Sequence, residues 1–231
     1  MKNIQHMALA TLAALALAAC GGSDESVGNG GPPMVVSEDG TSTFDVSNLT
    51  ATLATLPNEA LSDAERDSLA YMREEEKLAY DVYTQLNTLW GGQTRVFGNI
   101  AKSEATHTEA VRQLLLRYSL TDPAANLGAG LFFNADLQAL YVNLLSQGSP
   151  SLVTALQVGA AIEELDILDI QTALVGIDNQ DIRTVYGSLL KGSRNHLRSF
   201  VKTLAQQGVT YVPQRLSPEQ FSAIVNTPIE R

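Results

Sequence analysis

The sequence predicts an all-α protein, an antiparallel four-helix bundle with short additional helices. Apolar residues recur at steps of three and four through four long segments, the period of an amphipathic helix. Ser, Asn and Gly stand at the ends of those segments, where caps belong. No credible run of alternating strands and no internal repeat is present. With 231 residues, 45% of them hydrophobic, the chain can supply one substantial core plus extensions.

The N-terminal stretch "MKNIQHMALATLAALALAAC" carries one Lys, then an apolar run rich in Ala and Leu, then small residues before Cys20. Residues 1–19 read as an export signal, because the run is too short, and too quickly followed by "GGSDES", to span a bilayer. Leu17-Ala18-Ala19-Cys20 resembles the bacterial lipobox, whose cysteine is lipidated. Cys20 is the only cysteine, so an intrachain disulfide is impossible and lipidation gives the residue a use. The expected location is the bacterial cell envelope. Gly21 after the cysteine, in place of Asp, fits an outer-membrane lipoprotein facing the periplasm if the cell has two membranes. Residues 20–60, dense in Gly, Ser, Pro, Asp and Thr, read as a flexible tether, with Met34–Val36 open to a short strand.

Residues 61–231 form the predicted helical domain. Its first helix opens at Ser62, with Glu65 at capping-box spacing, and closes at Gly91-Gly92. A second runs from about Val96 to Tyr118. A shorter one starts at Asn134 and ends near Gly148. The next opens at Ser149-Pro150 and continues to about residue 176. Another long helix covers about 179–208 despite two interior glycines, and a brief one begins at Ser217-Pro218.

Each long helix carries polar residues inside its apolar stripe. The stripes are Leu69, Met72, Glu76, Ala79, Tyr83; then Phe97, Ile100, Glu104, His107, Val111; then Leu156, Ala160, Glu163, Asp166, Ile170; and Tyr186, Leu189, Ser193, His196, Phe200. A buried carboxylate left ionised and unpaired costs several kcal/mol, so it needs a cation, a hydrogen-bond network or a raised pKa. Carboxylate with imidazole suits Fe, Mn and Zn. Tyr83 and Tyr186 read first as core. Glu74 and Glu75 read as a solvated face pairing with nearby bases, and Arg194 and Arg198 as solvated. The net charge of −10 argues against a nucleic-acid surface.

The segments "EEEKLAYDVY", "IAKSEATHTEAV", "GAAIEELDILDI" and "GSRNHLRSF" resemble the four core helices of the ferritin-like superfamily, over about residues 62–212. In its rubrerythrin-like pattern a Glu ligand is followed by Ala and Tyr, matched by Glu76, Ala79 and Tyr83. Glu104 and His107 match its Glu-x-x-His motif, Glu104 bridging two metals and His107 capping one. Glu163 matches the third helix, with Asp166 as a second acid. The fourth departs: Ser193 stands where a second bridging Glu would precede His196.

The resemblance implies two Fe ions, with Mn or Zn as alternatives, and oxidation of iron or reduction of oxygen or peroxide. It also admits a homodimer. A non-catalytic metal-binding or partner-binding module is the second reading, and a structural polar network the third. The lipid anchor has its own test. Cys20→Ala is expected to move the protein from the membrane to the soluble fraction on cell fractionation, and an alanine variant that stays membrane-bound would contradict it.

Overall fold

The computed structural model describes residues 31–231; the predicted signal segment and Cys20 lie outside the described residues. A two-stranded antiparallel hairpin comes first, β1 (Met34–Val36) and β2 (Ser42–Phe44), with Met34 opposite Phe44 and Val36 opposite Ser42. Helices follow: α1 (Val46–Thr55), α2 (Asp63–Trp90), α3 (Val96–Arg117), α4 (Ala135–Gly148), α5 (Leu152–Gly176), α6 (Gln180–Gln206) and α7 (Pro218–Val225). The described chain is thus mostly helical, with this hairpin as its sheet.

The ends of the helices follow local chemistry. Ser62 and Glu65 close the expected capping box on α2, and Asn134 accepts from the Asp136 and Leu137 N–H groups at the start of α4. Ser217 caps α7 ahead of Pro218. The start of α5 falls later than expected: Ser151, sharing a capping box with Thr154, is the cap, and Ser149 belongs to the end of α4.

The long helices pack α2 on α3, α3 on α6, α6 on α5 and α5 on α2, around a common interior. Leu78, Val82, Phe97, Leu156 and Phe200 fill one part of it; Leu69, Met72, Val111, Leu114, Val185 and Leu189 fill another. At Gly159 of α5 a Cβ would fall 2.4 Å from the Phe200 ring, so only glycine lets α6 seat its aromatic there.

The tether expected over residues 20–60 is folded from Met34 onward. Met34, Phe44, Leu49 and Leu53 are buried in one cluster with Val111, Leu114 and Leu115 of α3. The hairpin turns through Gly40 at φ 88°, and Asp45 caps α1 by accepting from the Asn48 N–H. This arm lies across α3 and takes part in the core.

Leu49 is fully buried, so Leu49→Ala is expected to lower the unfolding free energy by about 2–5 kcal/mol in urea titration. A loss below about 0.5 kcal/mol, the level of a surface change, would mean that the arm does not dock in solution.

Candidate metal centre

Helical pitch brings the inward polar residues together. Glu76 comes from the middle of α2, Glu104 and His107 from α3, Glu163 and Asp166 from α5, and His196 from α6, each at most 3% exposed. Glu104 is shared. Its Oε2 lies 3.0 Å from His107 Nδ1, and its Oε1 lies 2.8 Å from His196 Nδ1. A second carboxylate faces each of the same Nδ1 atoms, Glu76 Oε2 at 3.5 Å from His107 Nδ1 and Glu163 Oε2 at 3.5 Å from His196 Nδ1.

Two ligand groups result, Glu76–Glu104–His107 and Glu104–Glu163–His196, each with donor atoms within 4.8 Å of one another. The imidazoles stack with centroids 5.4 Å apart. Asp166 is buried beside these groups but belongs to neither of them. Ser193 supplies no ligand, because its hydroxyl donates to the Leu189 carbonyl one turn back.

Several inward atoms lack a hydrogen-bond partner among the described residues: Glu76 Oε1, Glu104 Oε1, Glu163 Oε2, Asp166 Oδ1 and His196 Nδ1. Glu104 Oε1 and His196 Nδ1 are close enough to bond, yet their directions do not meet. Buried polar atoms are almost always satisfied, so a convergent set of orphans fits a shared cation. Mixed carboxylate and imidazole donors suit a divalent first-row metal.

The electrostatics agree. Burial opposes the charged form of both histidines, but the adjoining carboxylates overcome it and hold His107 up at about 10 and His196 at about 9. Burial pushes Glu104 upward, and the two imidazolium groups outweigh it, so its carboxyl stays well below the usual range. Glu76, more weakly compensated by His107, is raised by burial to about 7. Burial also raises Glu163, and Asp166 more strongly, with Glu75 and Glu163 adding repulsion. Protons shared among these groups offset the buried negative charge.

Neighbouring residues depart from several sequence expectations. Tyr83 is core, and its hydroxyl also donates to Glu163 Oε1 at 2.6 Å; Tyr186 meets Ser68 instead. Glu74 and Glu75 are buried rather than solvated. Glu74 accepts from the backbone N–H groups of Phe133 and Asn134, anchoring the loop before α4. Arg194 and Arg198 pair with Glu230, and Arg198 also donates to the Ile224 and Thr227 carbonyls, pinning the C-terminal segment to α6.

Ser42 had no signal in the sequence. Its Oγ lies 3.1 Å from Nε2 of both His107 and His196, its carbonyl oxygen lies 3.1 Å from His107 Nε2, and its N–H donates to Ser103 Oγ. The Phe44 ring meets His107 edge-on. Gly192 makes room: a Cβ there would lie 2.6 Å from His107 Cε1 and 2.8 Å from Ser42 Oγ.

These features define a helical domain with paired carboxylate–histidine groups in its interior. The chain belongs to the family described as "Uncharacterized protein domain (DUF2202)", which it matches over residues 65–228. It is 45% identical over 179 residues to the "Uncharacterized protein MJ0754" of Methanocaldococcus jannaschii, covering 78% of this chain and 96% of that protein. A crystal structure titled as hypothetical protein MJ0754 from Methanococcus jannaschii superposes with a TM-score of 0.74, over 76% of this chain and 99% of that one.

Glu75 tests the interior electrostatics. Both its carboxylate oxygens are buried without partners, and burial, followed by repulsion from Asp169, raises its pKa well above the ordinary 4.5. A carboxyl raised by folding costs stability as pH climbs above its unfolded value, since the folded state then binds more protons than the unfolded one. Glu75→Gln is therefore expected to unfold at higher denaturant than wild type, by a margin that widens as pH rises from 4.5. A margin that stays flat or narrows would contradict the burial of a proton-holding carboxyl at this position.

Proposed function

We propose that the protein is a ferritin-like metalloprotein binding two divalent redox ions, Fe or Mn, within a four-helix bundle of rubrerythrin-like type. One ion is held by Glu76, Glu104 and His107, the other by Glu104, Glu163 and His196. The observation that carries this reading is the division of Glu104 between two imidazoles, each with a further carboxylate at the same Nδ1. Together with Asp166, three carboxylates provide four negative charges against two divalent ions. Bound Fe or Mn would supply electron transfer to oxygen or peroxide, whereas Zn would supply none.

The chain's own residues set the terms of any reaction. Tyr83 fixes one oxygen of Glu163 and leaves the other turned toward His196. The site residues are buried, and the neighbouring turns of their helices carry the buried apolar Ala79, Ile100, Val111 and Leu189, which suits reactants as small as oxygen, peroxide or ferrous iron. We further propose that the domain works in the cell envelope, anchored through Cys20. The second reading, metal binding without turnover, is favoured by one feature, the serine at position 193 that leaves Glu104 as the sole carboxylate shared by both groups.

Metal analysis after expression with iron or manganese separates these readings from a purely structural network. Wild type is expected to hold one or two ions per chain, and Glu104→Ala, His107→Ala and His196→Ala each to lose most of that metal. Glu75→Ala is expected to keep it. Each variant is checked for helix content, because losing a ligand could shed metal by unfolding. Stoichiometric metal in a folded variant lacking both histidines would overturn the site. Consumption of oxygen or peroxide by the loaded wild type then distinguishes turnover from storage or sensing.

A further inference from the structure

We infer that Ser42, in the N-terminal hairpin, is a positioning residue for both cation sites: it receives the Nε2–H of each histidine and so turns both Nδ1 atoms toward the shared Glu104. The inference rests on the two-cation reading above and adds to it a residue outside the stretch matched by the family, residues 65–228.

A neutral imidazole carries one N–H and one lone pair, so an Nδ1 that binds a metal requires Nε2 to carry the proton. His107 Nε2 faces the Ser42 carbonyl, which can only accept, and the contact is a hydrogen bond only when Nε2 is protonated. His196 Nε2 faces the Ser42 hydroxyl alone among these groups. That oxygen has two lone pairs and one proton, and the same oxygen also lies against His107 Nε2. It can accept from both rings at once, which is the arrangement required when both Nδ1 atoms bind a cation; the alternative, donation of the hydroxyl proton to His196 Nε2 with a proton on His196 Nδ1, is what the metal-free spectrum below separates from it.

The surroundings hold Ser42 in place. Ser103 Oγ receives its backbone N–H at 2.9 Å, and Thr106 Oγ1 receives that of Phe44 at 3.0 Å, so α3 holds the strand on the same face that carries its two ligands. Gly192 of α6 allows the approach from the other side. The two histidines do not depend on Ser42 equally. His107 has the backbone carbonyl, which survives any substitution, while His196 has only the hydroxyl.

The test uses full-length protein titrated with Mn²⁺ alone, together with nitrogen-15 NMR of the histidine side chains without metal. In wild type both rings are expected to show a solvent-protected Nε2 proton and two Mn²⁺ sites to fill. In Ser42→Ala the protected Nε2 proton of His196 is expected to disappear while that of His107 remains. One Mn²⁺ site should weaken by about 10–100-fold, the range for losing such a partner, and the other should be unchanged. Asp45→Ala, which removes the cap of α1 without touching a histidine, is the structural control and should keep both sites. Equal weakening of both sites in Ser42→Ala, or the same loss in Asp45→Ala, would reduce Ser42 to a hairpin contact and overturn the inference. An unprotonated Nε2 on either wild-type ring would also overturn it, and needs no variant to fold. Absence of Mn²⁺ binding by wild type would instead overturn the two-cation reading, and the NMR comparison would then decide the role of Ser42 by itself.

Discussion

A single carboxylate, that of Glu104, sits fully buried between two imidazoles, and much of the surrounding structure serves that contact. Stranding one ionised carboxylate in a protein interior costs several kcal/mol even after relaxation. Here Glu76, Glu163, Asp166 and Glu75 are buried close by. Hydrophobic packing by the four long helices must carry this load, and they do so with large side chains excluded from water, among them Phe97, Phe200, Leu69 and Leu114. The interior has an apolar wall and a polar centre whose charges are balanced by each other, by protons and, on the proposed reading, by two cations.

The arrangement is nearly two-fold in its chemistry and unequal in its parts. Each imidazole turns its Nδ1 to the shared Glu104 and to a private glutamate, Glu76 or Glu163. Both private glutamates leave one oxygen without a partner, but the other oxygen of Glu163 accepts from the Tyr83 hydroxyl, whereas that of Glu76 lies 3.5 Å from His107 Nδ1. The histidines differ as well, since His107 can use a backbone carbonyl that His196 does not reach. Two cations bound here would occupy sites of unequal strength and unequal charge. On the proposed reading, such a difference would let one metal stay resident while the other exchanged.

Much of this site was legible in the sequence because helical pitch leaves little choice. Glu104 and His107 are one turn apart on α3, and once Phe97, Ile100 and Val111 mark the buried face the pair has to point inward. Glu76 and His196 follow from the same rule. Glu74 and Glu75 were misread for a related reason. Three consecutive glutamates spread over about 200° of helix, which reads as a solvated face when one partner helix is imagined. The α2 helix is instead enclosed by α3, α4 and α5, so each of its three acids meets protein. Apart from the strand left open at Met34–Val36, the arm read as tether because three-residue strands and a ten-residue helix with two buried leucines are too short to show a period. Ser42 could not be found at all from sequence: its significance lies in contacts across 65 and 154 residues of chain.

The central claim is that Glu104 is shared by two cations, each beside one histidine Nδ1. The most direct measurement is anomalous diffraction at the manganese edge from crystals of the protein grown with Mn²⁺. The account predicts two peaks inside the helical domain, about 3.5–4 Å apart as in two-metal sites generally, with the Glu104 carboxylate between them and His107 and His196 on opposite sides. Peaks confined to the surface, or histidines turned to present Nε2 to the metal, would contradict it.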